Sequence, residues 1–197
     1  MFGKKKIKGW YGMKIIVCRH GQTDWNVLKI VMGHHDEPLN EKGMEQARET
    51  RNKLLVEDID LILCSPLTRA RQTADIINED REIPIVYDDR IIERDFGEYE
   101  GFPKRDFDFP AFWDYYLNQH YSRAENIQEF FKRVYEFLDD IIEKYPDQTL
   151  LIVGHGGISI PIACYFQGFV PEGSLVDVGL ALENADIAIY EPTEKKD

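Results

Sequence analysis

A chain of 197 residues is long enough for one domain with a sizeable core, and 43% hydrophobic and 12% aromatic content suits a globular fold. Its 24 basic and 36 acidic side chains leave a formal charge of −12, which argues against general binding to nucleic acid or anionic membrane. Cys18, Cys64 and Cys164 are widely spaced and form no CxxC pair, which argues against a disulfide framework or zinc knuckle and fits a reducing cytoplasm. No apolar run reaches the length of a membrane span.

Residues 1–12 carry the basic run Lys4-Lys5-Lys6-Ile7-Lys8 with no long apolar region behind it. They read as a flexible extension outside the fold rather than a signal peptide. A single domain is expected over 13–192, followed by a tail over 193–197. Lys14-Ile15-Ile16-Val17 predicts a buried strand. That strand delivers Cys18-Arg19-His20-Gly21-Gln22-Thr23 to its end. Asp24 to Pro38 reads as loop. Asn40 to about Val56 predicts a helix capped by Asn40, with Ala47, Leu54 and Leu55 towards its buried side. Ile59 to Leu63 is a second strand, ended by Cys64-Ser65-Pro66. Pro66 suits the first turn of a helix through Arg69, Ala70, Thr73, Ala74 and Ile77.

Pro84 to Tyr87 is a short third strand. Asp88 to Gly101 is polar and turn-rich, and Phe102 to Tyr121 is crowded with aromatics. Ile127, Phe130, Phe131, Val134, Phe137, Leu138 and Ile141 recur at helical spacing, predicting a helix from about Asn126 to Tyr145 that Pro146 stops. Thr149 to Val153 is another buried strand, ending in Gly154-His155-Gly156-Gly157, with a helix to about Phe166 behind it. Two late strands are expected near Val178 to Leu182 and Asp186 to Tyr190. The alternation predicts an α/β three-layer sandwich, a mostly parallel sheet with helices on both faces. Ligands bind such sheets beyond the carboxyl ends of the strands. His20 and His155 each sit just past a strand, so the two distant motifs share one rim.

An Arg and a His at a strand mouth are poor packing choices and good chemical ones. Imidazole is a nucleophile near neutral pH, and guanidinium binds a phosphoryl group through a planar fork. Four separated pieces fit one chemistry, namely Arg19-His20-Gly21, Arg69, Glu93, and Gly154-His155-Gly156. A phosphomonoester needs cations around its oxygens, an in-line nucleophile, and an acid for the departing alcohol. Two arginines, two histidines and one carboxyl supply that set without metal. Arg71, two residues from Arg69, points to another side of the helix and reads as a solvated face. Glu98 and Glu100 compete with Glu93. His34-His35-Asp36-Glu37 looks superficially like a metal cluster, but adjacent loop histidines rarely point together. Cys18 reads as a buried strand residue.

The chain resembles the histidine phosphatase superfamily, the phosphoglycerate-mutase-like clan, in its short phosphatase branch. The resemblance runs from Met13 to about Pro192. It rests on Arg19-His20-Gly21-Gln22-Thr23-Asp24-Trp25-Asn26, on Gly33, Asp36, Pro38, Leu39 and Gly43, on Ser65 to Ala74, on Glu93 with Phe96-Gly97-Glu98-Tyr99-Glu100-Gly101, and on Val153 to Gly157. It implies a phosphatase that uses no cofactor and acts on a small-molecule phosphomonoester. His20 would carry the phosphoryl group covalently. Arg19, Arg69 and His155 would hold its oxygens, with Gly156 beside them. Glu93 would be general acid and then base, and Asn26 an auxiliary phosphate contact. His20 would be neutral at the attacking nitrogen and His155 better charged.

Two departures stand out. Ala124-Glu125-Asn126 replaces the family's Gly-Glu-Ser before the long helix. The segment between Glu93 and that helix is also shorter than in typical phosphoglycerate mutases, which favours phosphatase over mutase. The rival readings are a cofactor-dependent phosphoglycerate mutase and a non-catalytic phospholigand-binding regulatory domain. In this family the aromatic insert lies over the site, so Phe102 to Tyr121 is expected to contribute to a lid, with most rings packing. The physiological substrate and the oligomeric state are not legible.

Overall fold

The structure is a computed structural model and describes residues 12–191. The expected tail lies outside that range, as does the expected extension apart from Gly12. Five strands form one sheet: β1 (Lys14–Arg19), β2 (Leu61–Cys64), β3 (Ile85–Tyr87), β4 (Thr149–Gly154) and β5 (Ile187–Tyr190), in the order β3-β2-β4-β1-β5. Four strands are parallel; β5 closes the edge antiparallel to β1. The helices are α1 (Asp24–Leu28), α2 (Glu41–Lys53), α3 (Thr68–Asn78), α4 (Phe109–Phe112), α5 (Ile127–Lys144) and α6 (Gly156–Gln167).

Successive strand residues point to opposite faces, and both faces are covered. Ile15, Val17, Leu61, Leu63, Leu150 and Ile152 pack with α5 and α6, whereas Ile16, Cys18, Ile62, Cys64, Leu151 and Val153 pack with α3. This is why the strands read as continuous apolar runs rather than alternating ones. Helix α5 buries Phe130, Phe131, Val134, Phe137 and Leu138 completely or nearly so. Each such side chain contributes roughly 1.5–3 kcal/mol of burial. Asn40 and Asn126 cap α2 and α5 through the N–H groups of Gly43 and Gln128.

Three elements differ from expectation. Asp24 to Leu28 is a helix and not loop, because Thr23 and Asn26 form a reciprocal capping box. Helix α3 starts at Thr68, two residues beyond Pro66. Its first turn is met from the loop before α2, where the Asp36 carboxylate accepts from the Thr68 N–H and hydroxyl, both at 2.7 Å. Val178 to Leu182 is not a strand. Its backbone is spent on side chains instead: the Leu182 carbonyl accepts from Arg19 and the Leu182 N–H donates to Ser159 Oγ. No described helix is long and apolar enough to cross a membrane.

Candidate active site

The parallel pairing of β1 with β4 sets Arg19 opposite Gly154. One residue further on, the His20 N–H still bonds the Gly154 carbonyl, at 2.9 Å. Register alone therefore brings His20 and His155 together, their rings edge to face at 5.2 Å between centroids. Both are buried, at 2% and 1% exposure. The Nδ1 of His20 lies 2.7 Å from the Gly21 carbonyl. A carbonyl only accepts, so Nδ1 carries the proton and Nε2 keeps its lone pair. Burial, with Arg69 and Arg19 adding to it, holds the His20 pKa well below the usual imidazole range. The ring is thus neutral, with the lone pair of Nε2 left free.

Arg69 projects from the first turn of α3 and is fully buried, whereas Arg71 is exposed and lies over the Tyr87 ring. Its terminal nitrogens donate to the carbonyls of His35 and Gly33, each at 2.8 Å, which fixes the plane of the guanidinium. Arg19 is anchored to Leu182 in the same manner, at 2.7 Å. Burial lowers the pKa of both, that of Arg69 to about 10, and a guanidinium stays protonated in a protein at neutral pH. The Nε of Arg19, the Nε of Arg69 and the Nδ1 of His155 are buried without a protein partner. Three buried polar nitrogens without a partner are costly, and the two on Arg19 and Arg69 belong to cations that line one cavity, where an anion would take them.

Glu93 faces this group from the loop after β3. One carboxylate oxygen accepts from the Gly157 N–H and the other from its own neighbour Arg94, each at 2.9 Å. Its rivals have other places. Glu100 accepts from the N–H groups of His34, His35 and Phe96, and so shapes the loop whose carbonyls hold Arg69. Glu98 is exposed. Two glycines at the start of α6 make room: a Cβ on Gly156 would meet the Arg19 guanidinium at 3.2 Å, and one on Gly157 would meet Glu93 Oε1 at 2.0 Å.

Asn26 Oδ1 accepts from the Thr23 N–H and from Asn184 Nδ2, both at 3.1 Å. Its oxygen is thus occupied twice, and Asn26 also lines a cavity. A cavity of about 110 Å³ is bounded by Arg19, His20, Asn26, Arg69, Glu93 and Gly156 on its polar side. Phe96, Phe109, Trp113 and Ile160 are among its apolar lining residues. Of the aromatic insert, Phe109 and Trp113 reach the cavity, while Phe112 and Tyr115 are buried in packing. Asn126 caps α5, and Glu125 pairs with Arg133.

Three contributors carried no readable sequence signal. Asn184 also donates to the His20 carbonyl, at 3.2 Å, and Ser65 Oγ lies 2.8 Å from His155 Nε2. Lys104 lines the cavity with its ammonium 4.9 Å from the Phe109 ring centre. His34 and Asp36 serve the scaffold, since His34 bonds the Glu93 carbonyl and Asp36 caps α3. His35 stacks on Trp25. No group of three or more His, Cys, Asp or Glu among the described residues has metal-holding geometry. Burial pushes the Cys18 thiol up to about 12, so it is protonated and inert at neutral pH. One expectation differs from the structure: burial, with Arg69 and the neighbouring groups, pushes the His155 pKa well below the imidazole range instead of favouring its charged form.

A sheet of this topology, with buried cations and a neutral imidazole at its carboxyl edge, defines an enzyme that handles phosphate esters. The chain belongs to the histidine phosphatase superfamily (branch 1), whose family profile matches residues 15–196, and it is a phosphatase. It is 37% identical over 163 residues to uncharacterized phosphatase PhoE of Bacillus subtilis, covering 80% of this chain and 79% of that one. It is 31% identical to the adenosylcobalamin/alpha-ribazole phosphatase of Escherichia coli, over 74% and 75% of the two chains. The solved structure of Bacillus stearothermophilus YhfR superposes with a TM-score of 0.83 at 29% identity, covering 92% of each chain.

Proposed function

We propose that the protein is a cytoplasmic, metal-independent phosphomonoesterase that acts on a small phosphorylated metabolite through a phosphohistidine at His20. The observation that carries this reading is the set of unpaired donors on Arg19, Arg69 and His155 beside the free lone pair of His20. In the first step Nε2 of His20 forms a bond to phosphorus and the P–O bond to the alcohol breaks. Glu93 in its acid form gives that departing oxygen its proton. In the second step the Glu93 carboxylate takes a proton from water, the water oxygen bonds to phosphorus, and the P–N bond breaks. Arg19, Arg69 and the Asn26 amide hold the phosphoryl oxygens throughout, where charge develops.

Release of inorganic phosphate from a panel of phosphomonoesters, before and after prolonged chelation, tests this. Equal rates support the reading. A rate lost on chelation and restored by a divalent cation overturns it. Interconversion of 2- and 3-phosphoglycerate with little phosphate released would move the assignment to mutase.

A further inference from the structure

His20 and His155 are the same side chain with their rings in contact, 5.2 Å between centroids, yet they meet different partners. His20 faces a carbonyl, which settles its tautomer at once. His155 faces the hydroxyl of Ser65, which can either donate or accept. The choice follows from accounting for the hydroxyl proton. Ser65 is fully buried. Among the described residues its Oγ reaches only two groups, His155 Nε2 at 2.8 Å and the Leu67 N–H at 3.5 Å. The Leu67 N–H is a donor. Nε2 is therefore the only acceptor available to the Ser65 proton. If Nε2 carried its own hydrogen, the Ser65 hydroxyl would be buried with no acceptor, which costs the full desolvation of that group. An imidazolium would leave the same hydroxyl stranded and add a third buried cation beside Arg19 and Arg69.

We propose that Ser65 is a positioning residue that fixes His155 as a neutral ring protonated at Nδ1, so that His155 holds a phosphoryl oxygen as an uncharged donor. The donor role rests on the reading of the cavity as a phosphoryl site; the tautomer does not. Both histidines then carry their proton on Nδ1 and use it oppositely. His20 turns the bare Nε2 to phosphorus, and His155, whose Nε2 is taken by Ser65, keeps its Nδ1–H for the ligand. A third group that sets a tautomer acts here as it does in hydrolytic triads. Two guanidinium charges already match a phosphate dianion, and a neutral N–H adds a directed bond without further buried charge.

The direct test is the two-bond ¹H–¹⁵N spectrum of the full ¹⁵N-labelled chain at neutral pH, with His155 assigned by its loss in His155→Asn. The expected result is a pyrrole-type Nδ1 and a pyridine-type Nε2. A pyrrole-type Nε2, or two pyrrole-type nitrogens, overturns the proposal. In Ser65→Ala the ring should shift towards a mixture of tautomers. Its kcat should fall by at least about 10-fold, short of the roughly 10²- to 10³-fold cost of deleting a donor outright, with the loss in kcat rather than KM. Ser65→Thr keeps a hydroxyl and should restore both signals. An unchanged tautomer in Ser65→Ala also overturns the proposal, and the wild-type spectrum decides the matter even where a variant does not fold. A chain with the Nδ1–H tautomer but no phosphatase activity would refute the proposed function and leave the tautomer standing.

Discussion

Glu93 reaches across from the loop after β3 to the first turn of α6, where its carboxylate accepts the Gly157 N–H at 2.9 Å. The contact joins two segments 64 residues apart and fixes the carboxylate in the wall of the cavity that His20 also lines. A general acid matters in proportion to how poor the leaving group is. Glu93→Gln should slow hydrolysis of an alkyl phosphate by roughly 10²- to 10⁴-fold and that of p-nitrophenyl phosphate far less. Equal slowing of both substrates would point to a structural role, and selective slowing in Glu98→Gln or Glu100→Gln instead would move the acid elsewhere.

The same contact makes Gly157 irreplaceable. A Cβ there would lie 2.0 Å from Glu93 Oε1 and 2.7 Å from the Trp113 ring, so the carboxylate must move. Displacement of a catalytic group by about 1 Å costs on the order of 10²-fold. Gly157→Ala should therefore reproduce the leaving-group dependence of Glu93→Gln while keeping a native circular dichroism spectrum. Alkyl phosphate turnover at the wild-type rate would contradict this.

Arg69 bonds two carbonyls and still presents its Nε, which only a planar fork can do. Arg69→Lys keeps the charge but cannot serve both carbonyls. We expect a stability loss of about 1–3 kcal/mol from the stranded groups, measured by urea unfolding. KM should rise together with a fall in kcat. A variant with wild-type kinetics would mean that charge alone suffices.

Stability should depend on pH in a direction set by the two histidines. Both are held neutral in the folded protein, their pKa values lowered first by burial and then by Arg69 and Arg19. The unfolded chain takes up these protons near pH 6.5, before the folded one does. Stability is thus fully present above roughly pH 6.5 and is lost as pH falls below it, by up to about 1.4 kcal/mol per pH unit for each histidine. Urea unfolding at successive pH values should show this slope, and it should be shallower in His20→Asn. An equal slope in wild type and variant would contradict the assignment.

The two histidines were legible because each follows a continuous apolar run, and a parallel sheet puts such positions on one rim. Arg69 was separable from Arg71 because helical geometry turns residues two apart to different sides. Glu93 was not separable from Glu98 and Glu100 by spacing. What separates them is that three backbone N–H groups engage the Glu100 carboxylate, while Glu98 lies in solvent. Ser65 and Asn184 act on partners 90 and 158 residues away, His155 and Asn26, and no local pattern encodes such a contact. Val178 to Leu182 had the composition of a strand, but Arg19 and Ser159 bond its backbone at Leu182.

The proposed mechanism requires a covalent phosphoryl group on His20. Rapid acid-free quenching during turnover, followed by peptide mass spectrometry under alkaline conditions, reads it directly. An acid-labile, alkali-stable phosphate should appear on the peptide containing His20 and be absent from His20→Ala, which should also be inactive. A phosphorylated residue elsewhere, or a His20→Ala variant that keeps even a tenth of the wild-type rate, would contradict it.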